Sequence, residues 1–170
     1  MSISGERQPR NSQPPLRRHQ REALDALADS VAEDARRSWI VLPPGAGKTR
    51  VGIEHAKNLL DDGHVARVVA FGPNTAIQTQ WANAWNSHSS DAAGLDRKLT
   101  IRFTALTYQS LAVFDEDRDT TNSLLNELAP GGRELVDRLG EAGPLLLILD
   151  ECHHLLDVWG SLMTELLDLL

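Results

Sequence analysis

The chain has 170 residues, of which 41% are hydrophobic and 24% are charged, so it is long enough to fold as one globular domain with a sizeable core. Its formal net charge of -7 argues mildly against non-specific attraction to nucleic acid. The single cysteine, Cys152, excludes an internal disulfide. Because no apolar run is long enough to span a membrane or to act as a secretory signal, we expect a cytoplasmic protein that makes no membrane contact.

The first part of the sequence lacks hydrophobic periodicity. Residues 1–15 are rich in Ser, Pro, Gln and Arg, which is typical of a disordered arm, and we place a single domain over residues 16–170. Within this domain, apolar residues recur at three- and four-residue spacing from Leu16 to Ala35, which predicts the first helix. The run WIVL, at 39–42, ends at Pro43–Pro44–Gly45 and predicts a buried strand followed by a turn.

The rest of the domain alternates strands with helices. A helical pattern from Gly47 to Leu60 is followed by predicted strands at 65–71, 99–103 and 145–150, the last with an apolar run that suits a strand covered on both faces. Further helices are predicted at 75–86, near 107–114, within 121–140 and at 156–170, and polar loops at 87–98 and 115–119. The last helix is apolar almost all round, which predicts poor solubility unless something covers it. The alternation implies an α/β fold with a three-layer parallel sheet, in which ligands bind at the carboxyl ends of the strands.

The segment LPPGAGKT, residues 42–49, follows a predicted strand and opens a predicted helix. Gly45 and Gly47 let the backbone curl so that its N–H groups face a phosphate, and the helix N-terminus adds partial positive charge. Lys48 can then reach the β- and γ-phosphates, and the hydroxyl of Thr49 can bind Mg²⁺. The general pattern has a glycine where this chain has Leu42. The alternative is a chance turn of Pro and Gly, but the strand–loop–helix context favours a phosphate loop.

An acidic pair, Asp150 and Glu151, ends the strongest predicted strand. A carboxylate at that place can hold Mg²⁺, and a neighbouring carboxylate can orient and deprotonate an attacking water. The alternative is that Asp150 merely caps the next helix. Cys152, His153 and His154 follow directly, but a zinc site needs about four ligands and the sequence has no second cysteine, so we expect no structural metal there.

Together these segments resemble the superfamily-two helicases of the DEAD/DEAH-box type, and in particular the motor subunits of type I and type III restriction enzymes. LRRHQREALDAL, at 16–27, is similar to the family's adenine-recognition segment, and DECHH, at 150–154, to its DExH signature. LPPGAGKT is similar to its phosphate loop, in which the first glycine is commonly absent. The resemblance covers about residues 16–160. It implies the N-terminal RecA-like P-loop NTPase domain of a helicase that uses ATP and Mg²⁺.

The resemblance also assigns roles to residues. Gln20, helped by Arg17, would read the adenine edge, for which an amide offers a donor beside an acceptor; the alternative is an ordinary exposed helix residue. Asp150 would be the Mg²⁺ carboxylate, Glu151 the catalytic base and His153 a link between the nucleotide state and the DNA-binding parts. The implied nucleotide contacts are Arg17, Gln20, Pro44, Gly45, Ala46, Gly47, Lys48 and Thr49.

Two more segments, AFGPNTAIQTQW at 70–81 and TALTYQSL at 104–111, resemble the family's first and second nucleic-acid motifs. We expect both to follow strands, where backbone N–H, hydroxyl and amide groups can bind phosphates without net charge. An acidic chain could then bind a polynucleotide, and the resemblance favours DNA over RNA. The candidate residues are Pro73, Asn74, Thr75, Gln80, Thr107 and Gln109. We expect Trp81 to lie in the core rather than to stack on a base.

One part of the family pattern is missing. A Ser/Thr-Ala-Thr strand and a second RecA-like domain, whose arginines complete the ATP site, do not occur before Leu170. We therefore expect a missing domain or companion subunit, and little turnover by the isolated chain. Two alternatives stay open. A P-loop ATPase that is not a helicase would not need the two nucleic-acid segments, and a non-catalytic module that binds nucleic acid or a partner would not need both Lys48 and Glu151.

Overall fold

The computed structural model describes residues 14–111, 124–128, 130–152 and 157–170. In these ranges the helices are α1 (Arg18–Ala32), α2 (Lys48–Asp61), α3 (Thr75–His88), α4 (Pro130–Glu141) and α5 (Asp157–Leu169). The strands are β1 (Arg67–Gly72), β2 (Phe103–Thr107) and β3 (Leu145–Leu149), and short 3-10 turns cover Tyr108–Ser110 and Leu124–Glu127. The chain divides into two compact units, and the boundary falls between Lys48 and Thr49. We refer to the part before this boundary as the N-terminal unit and to the part after it as the sheet unit.

The three strands of the sheet unit form one parallel sheet in the order β2-β1-β3. Val69 of the central strand pairs with Thr104 on one side and with Leu147 on the other. Parallel neighbours need long crossover connections, and helices α3 and α4 lie in the connections of this sheet. The carboxyl ends of all three strands therefore meet at one edge, which is where the candidate residues follow them.

Side chains of the sheet alternate between two hydrophobic cores, one on each face. Val68 and Ala70 point into a core that contains Trp85 of α3 and Ile53 of α2, together with Phe103. Val69 and Phe71 of the same strand point into the opposite core, which is formed largely by α4 and α5. Helices thus cover both faces of a parallel sheet, so the predicted three-layer α/β architecture is confirmed.

The predicted strand at 39–42 is wrong for the N-terminal unit. These residues form no strand and no backbone ladder within the described part of the chain, and Trp39 and Val41 are 81% and 89% exposed. Ile40 and Leu42 are half-buried and line, with Leu27 of α1, a groove of about 300 Å³. Side-chain exposure alternates along 39–42 as it would in a strand. A strand also needs a neighbouring backbone to pair with, and the described residues of this unit supply none.

The strand predicted at 99–103 lies four residues further along, at Phe103–Thr107. Leu99 has a φ of 51°, a left-handed conformation that is incompatible with an extended strand. Its carbonyl instead accepts a hydrogen bond from Nε of Arg67 at 2.7 Å. Residues of the observed strand alternate between the two cores, with Phe103 and Ala105 in one and Leu106 in the other. The second nucleic-acid segment, 104–111, therefore begins inside a strand rather than after it.

Helix α5 is one-sided rather than apolar all round. Leu162 and Leu166 are fully buried in the core of the sheet unit, whereas Thr164 is exposed. Glu165 accepts hydrogen bonds from the backbone N–H groups of Leu124 and Leu125 at 3.2 and 3.3 Å. The unit itself thus covers part of the apolar surface of α5, whereas Leu169 and Leu170 at its end are exposed.

The other predicted helices agree with the structure where it describes them. The helices predicted from Leu16, after Gly47 and from 75 are α1, α2 and α3, and a 3-10 turn precedes α4 in the range 121–140. Only a 3-10 turn, at 108–110, occupies the described part of 107–114. Residues 1–13 of the predicted arm and the acidic loop at 115–119 lie outside the described residues. No helix in the described ranges is long and apolar enough to cross a membrane.

Candidate nucleotide site

The predicted phosphate loop has the curled backbone that its glycines allow. Gly45 and Gly47 have φ values of 74° and 87°, which only glycine adopts without strain. The N–H of Ala46 donates to the carbonyl of Pro43 at 3.1 Å and closes a tight turn. Helix α2 begins directly afterwards, at Lys48. A tight turn followed directly by the start of a helix is the arrangement that a phosphate-binding loop requires.

Two side chains of α1 hold this loop. Nε2 of Gln20 donates to the carbonyl of Ala46 at 3.0 Å, and a ring nitrogen of His19 lies 3.0 Å from the same oxygen. Oε1 of Gln20 accepts the backbone N–H of Arg17 at 2.9 Å, which caps α1. Gln20 is only 4% exposed, so the alternative of an ordinary exposed helix residue is wrong, whereas the Arg17 side chain is exposed. One N–H and one lone pair of the Gln20 amide are left over for a further partner.

His19 was missed by the sequence interpretation. No spacing rule identifies a histidine that pairs with a backbone carbonyl far along the chain. His19 and Gln20 both contact the carbonyl of Ala46 because of the way α1 packs against the loop, and this packing cannot be inferred from the sequence.

Thr49, the candidate magnesium hydroxyl, lies in the first turn of α2. Its Oγ1 accepts a hydrogen bond of 2.8 Å from Nε2 of Gln80 on α3. Gln80 is one of the predicted nucleic-acid candidates, and no sequence pattern pairs it with Thr49. The bond links the start of α2 to the middle of α3 within the sheet unit.

Asp150, the candidate magnesium carboxylate, comes directly after β3. Its backbone N–H continues the ladder by donating to Phe71 at 2.9 Å, and its carbonyl accepts from the hydroxyl of Tyr108 at 2.9 Å. Its Oδ2 accepts the indole N–H of Trp81 at 2.8 Å. The helix-cap alternative stays open, because residues 153–156, which follow the acidic pair, lie outside the described residues. Burial, reinforced by the negative charges beside it, raises the pKa of Tyr108, so the phenol stays a donor.

Trp81 lies in the core, as predicted. It is 3% exposed and its ring stacks on Phe103 with the centroids 6.5 Å apart. A Cβ added at Gly52 of α2 would come within 2.5 Å of the indole, so this glycine makes room for it. The indole is therefore fixed on both sides, and its one polar atom meets Asp150.

The residues after Asp150 turn sharply. Glu151, the candidate base, has a φ of 55°, which costs a residue with a side chain about 1–2 kcal/mol. Burial first, then the charges of Asp150 and Glu151, raise the pKa of the half-buried Cys152 thiol. His153 and His154 lie outside the described residues. No group of three or more His, Cys, Asp or Glu that could hold a metal ion occurs within the described part of the chain.

The nucleic-acid candidates on β1 and β2 meet at the carboxyl edge of the sheet, because Gly72 pairs with Thr107 in the register. Oδ1 of Asn74 accepts the N–H of Ile77 at 3.0 Å and caps α3. Nε2 of Gln109 donates to the carbonyl of Pro73 at 3.3 Å and joins the two segments. The side chain of Thr75 is exposed, and the Thr107 hydroxyl lies 3.3 Å from that of Ser110.

A family model described as "Type III restriction enzyme, res subunit" matches residues 13–167 of the chain. The chain belongs to this family. The predicted resemblance to superfamily-two helicases of the restriction-enzyme type is confirmed by this membership. The phosphate loop, the α3 contacts and the acidic pair of this res-subunit family member all lie within the matched range.

Among solved structures, the chain is similar to a nuclease-deletion mutant of the Type ISP restriction-modification enzyme LlaGI in complex with a DNA substrate mimic. The two share 19% sequence identity with a TM-score of 0.43, and the alignment covers 89% of this chain and 14% of the other. The chain thus spans only 14% of the length of that enzyme. A search of curated proteins found no significant match.

Proposed function

We propose that this res-subunit family member binds Mg·ATP and is the ATP-binding half of an ATP-dependent helicase or translocase that acts on DNA. One observation carries the proposal. Thr49 and Asp150 lie far apart in the sequence, yet neighbouring residues of α3 donate a 2.8 Å hydrogen bond to each of them. A hydroxyl and a carboxylate oxygen are ligands that Mg²⁺ prefers, and Mg²⁺ needs few from the protein because it keeps several waters.

The phosphate loop supplies the second support. Its glycine-dependent curl and the immediate start of α2 at Lys48 suit an anion bound by backbone N–H groups. In the proposal, residues 44–47 surround the phosphates, and the Lys48 ammonium balances the charge of the β- and γ-phosphates. Gln20 and Arg17 are proposed to contact the adenine, using the amide capacity that Gln20 retains beside its bond to Ala46.

The acidic pair divides the remaining work. Within the described residues Trp81 bonds to Oδ2 of Asp150, and Oδ1 is proposed to bind the cation. Glu151 is proposed to orient the attacking water and to accept its proton, and His153 to link the nucleotide state to nucleic-acid binding. Bound Mg²⁺ would neutralise the charge that develops on the phosphates.

Nucleic acid is proposed to contact the same edge of the sheet. Thr75, Thr107 and Gln109 carry hydroxyl or amide groups where β1 and β2 end, and neutral donors of this kind bind phosphates without a basic surface. The contact between Gln109 and Pro73 would hold the two segments at a fixed spacing. This accounts for polynucleotide binding by a chain with a net charge of -7.

Equilibrium titration with a fluorescent ATP analogue, with Mg²⁺ and with EDTA, tests the nucleotide part. We expect Mg²⁺-dependent binding that Lys48→Ala abolishes, that Asp150→Asn weakens only when Mg²⁺ is present, and that Lys57→Ala, which removes a cation from the same helix, leaves unchanged. The proposal is wrong if wild type shows no saturable binding, or if Lys48→Ala and Lys57→Ala behave alike.

Titration with a labelled single-stranded oligonucleotide tests the second part. We expect affinity that changes with the bound nucleotide, and weaker binding for a Thr107→Ala/Gln109→Ala double variant than for Asn83→Ala, which removes an exposed amide from α3. Oligonucleotide binding that ignores the nucleotide, or no binding at all, would favour a P-loop ATPase that is not a helicase. DNA and RNA versions of one sequence distinguish the two polymers.

A further inference from the structure

Two adjacent residues of α3 bond to the two candidate magnesium ligands. Gln80 donates to Oγ1 of Thr49 and Trp81 donates to Oδ2 of Asp150, and both hydrogen bonds are 2.8 Å long. Thr49 belongs to α2 and Asp150 follows β3, so α3 is the element that contacts both. The nucleotide assignments above give neither donor a role.

Trp81 offers its hydrogen bond from a fixed position. Its ring packs between Phe103 and Gly52, whose missing side chain leaves room for the indole, and it is almost completely buried. An indole N–H can only donate, so its partner in this core has to be an acceptor, and Oδ2 of Asp150 is that acceptor. At 2.8 Å the bond is short, and hydrogen bonds of this length are directional. It determines which carboxylate oxygen faces α3 and which remains for a cation.

Gln80 acts on the other ligand in the same sense. Its amide N–H occupies one lone pair of the Thr49 hydroxyl and leaves the second lone pair and the hydroxyl hydrogen for other partners. The Gln80 side chain is exposed, so this bond is not required to satisfy a buried group. Because the core does not need the bond from Gln80 to Thr49, we interpret it as a contact that orients the Thr49 hydroxyl.

We propose that Gln80 and Trp81 are positioning residues, which aim the Thr49 hydroxyl and the Asp150 carboxylate at one Mg²⁺. This inference rests on the proposed function, since it presupposes that these two residues hold the cation. Outer groups that hydrogen-bond to metal ligands set the orientation of those ligands, and their removal typically weakens metal affinity about 10–100-fold.

Trp81→Phe tests the role of the N–H, because it keeps an aromatic ring in the core while removing the donor together with the five-membered ring, and the control has to match that loss of volume. Trp85→Phe is its matched control. Trp85 also stacks on Phe103, at 4.5 Å between centroids, but its N–H has no hydrogen-bond partner within the described residues. We expect Trp81→Phe to raise the dissociation constant of the ATP analogue about tenfold with Mg²⁺ and not with EDTA, and Trp85→Phe to raise it in neither.

Gln80→Ala provides a variant at an exposed position, which keeps the test decisive if Trp81→Phe fails to fold. Its control is Asn83→Ala, also exposed on α3. We expect a several-fold weakening of the Mg²⁺-dependent component for Gln80→Ala alone. A second readout is the electron paramagnetic resonance spectrum of Mn²⁺ bound with the nucleotide. We expect Trp81→Phe or Gln80→Ala to change that spectrum, which a purely structural role would leave unaltered.

The outcomes separate the positioning inference from the proposed function. If wild type binds Mg·nucleotide, Lys48→Ala abolishes that binding, and the Trp81 and Gln80 variants equal their controls, the positioning roles are wrong and the proposed function stands. Equal weakening with Mg²⁺ and with EDTA also overturns the positioning roles, because the cation is then not involved. If wild type binds no Mg·nucleotide, both proposals fail together.

Discussion

The sheet unit and the N-terminal unit stabilise their backbones in different ways. Strand β1 is paired on both sides over its length, so its N–H groups lie in two parallel ladders between two cores. The segment 39–42 of the N-terminal unit has the same apolar character but no paired strand among the described residues, and its phosphate loop is held by side chains of α1 instead. A strand pattern therefore becomes a strand only where a neighbour is present, and loop geometry depends on a few side-chain donors.

Hydrogen exchange gives the largest expected difference between the two units. Amides of Val69 and Phe71 lie in the central ladders and should open only with the whole unit, so we expect them to exchange about a thousandfold or more slowly than those of Ile40 and Val41. Residue-resolved exchange by NMR checks this. Comparable protection at 40 and 41 would show that the segment is paired in solution and that the sequence prediction of a strand was right after all.

The contrast also explains how far the sequence could predict the fold. Strands β1 and β3 and the five described α-helices could be predicted from apolar patterns, because both cores lie where those patterns place apolar side chains. The start of β2 could not be predicted in this way, because Leu99 adopts a left-handed conformation that no local sequence pattern requires. Segment 39–42 failed for a different reason, because pairing is a non-local property.

The candidate site divides along the same line. Lys48, Thr49, Asp150 and Glu151 could be named from motifs, because phosphate and Mg²⁺ chemistry needs those residue types after a strand or at a helix start. The bonds made by His19, Gln80 and Trp81 could not be named, because each depends on how elements distant in sequence pack. Motifs thus identify the candidate ligand-binding groups, and the fold identifies the side chains that contact those groups.

Two glutamines, one in each unit, allow a comparison of how much a single side chain stabilises its unit. Gln20 of the N-terminal unit is buried and bonds to the backbone at both ends of its amide, whereas Gln78 of the sheet unit uses one nitrogen, on the carbonyls of Ala105 and Leu95. We expect Gln20→Ala to lower the free energy of unfolding by about 1–3 kcal/mol, because it leaves partly buried backbone groups of α1 and the loop without that partner.

For Gln78→Ala we expect about 0.5–1.5 kcal/mol, since the ladders around Ala105 remain intact. Denaturant unfolding of the two variants beside wild type measures both values. A larger loss for Gln78→Ala would mean that the N-terminal unit does not depend on its side-chain donors, which would contradict the contrast between the units.

The smallest effect concerns pH and belongs to the sheet unit. Burial lowers the pKa of His55 on α2 below its usual 6.5, so the folded chain favours the neutral ring. Below pH 6.5 the unfolded chain takes up a proton that the folded chain resists, and the unfolded state binds more protons. The stability associated with His55 is therefore complete above pH 6.5 and is lost as the pH falls toward the pKa of the folded state.

We expect His55→Gln to reduce the fall in the free energy of unfolding below pH 6.5. Above pH 7, the difference in that free energy between the variant and wild type should stay constant. Urea midpoints measured from pH 7.5 to 5 test this, and an unchanged slope below 6.5 would assign the acid sensitivity to other groups.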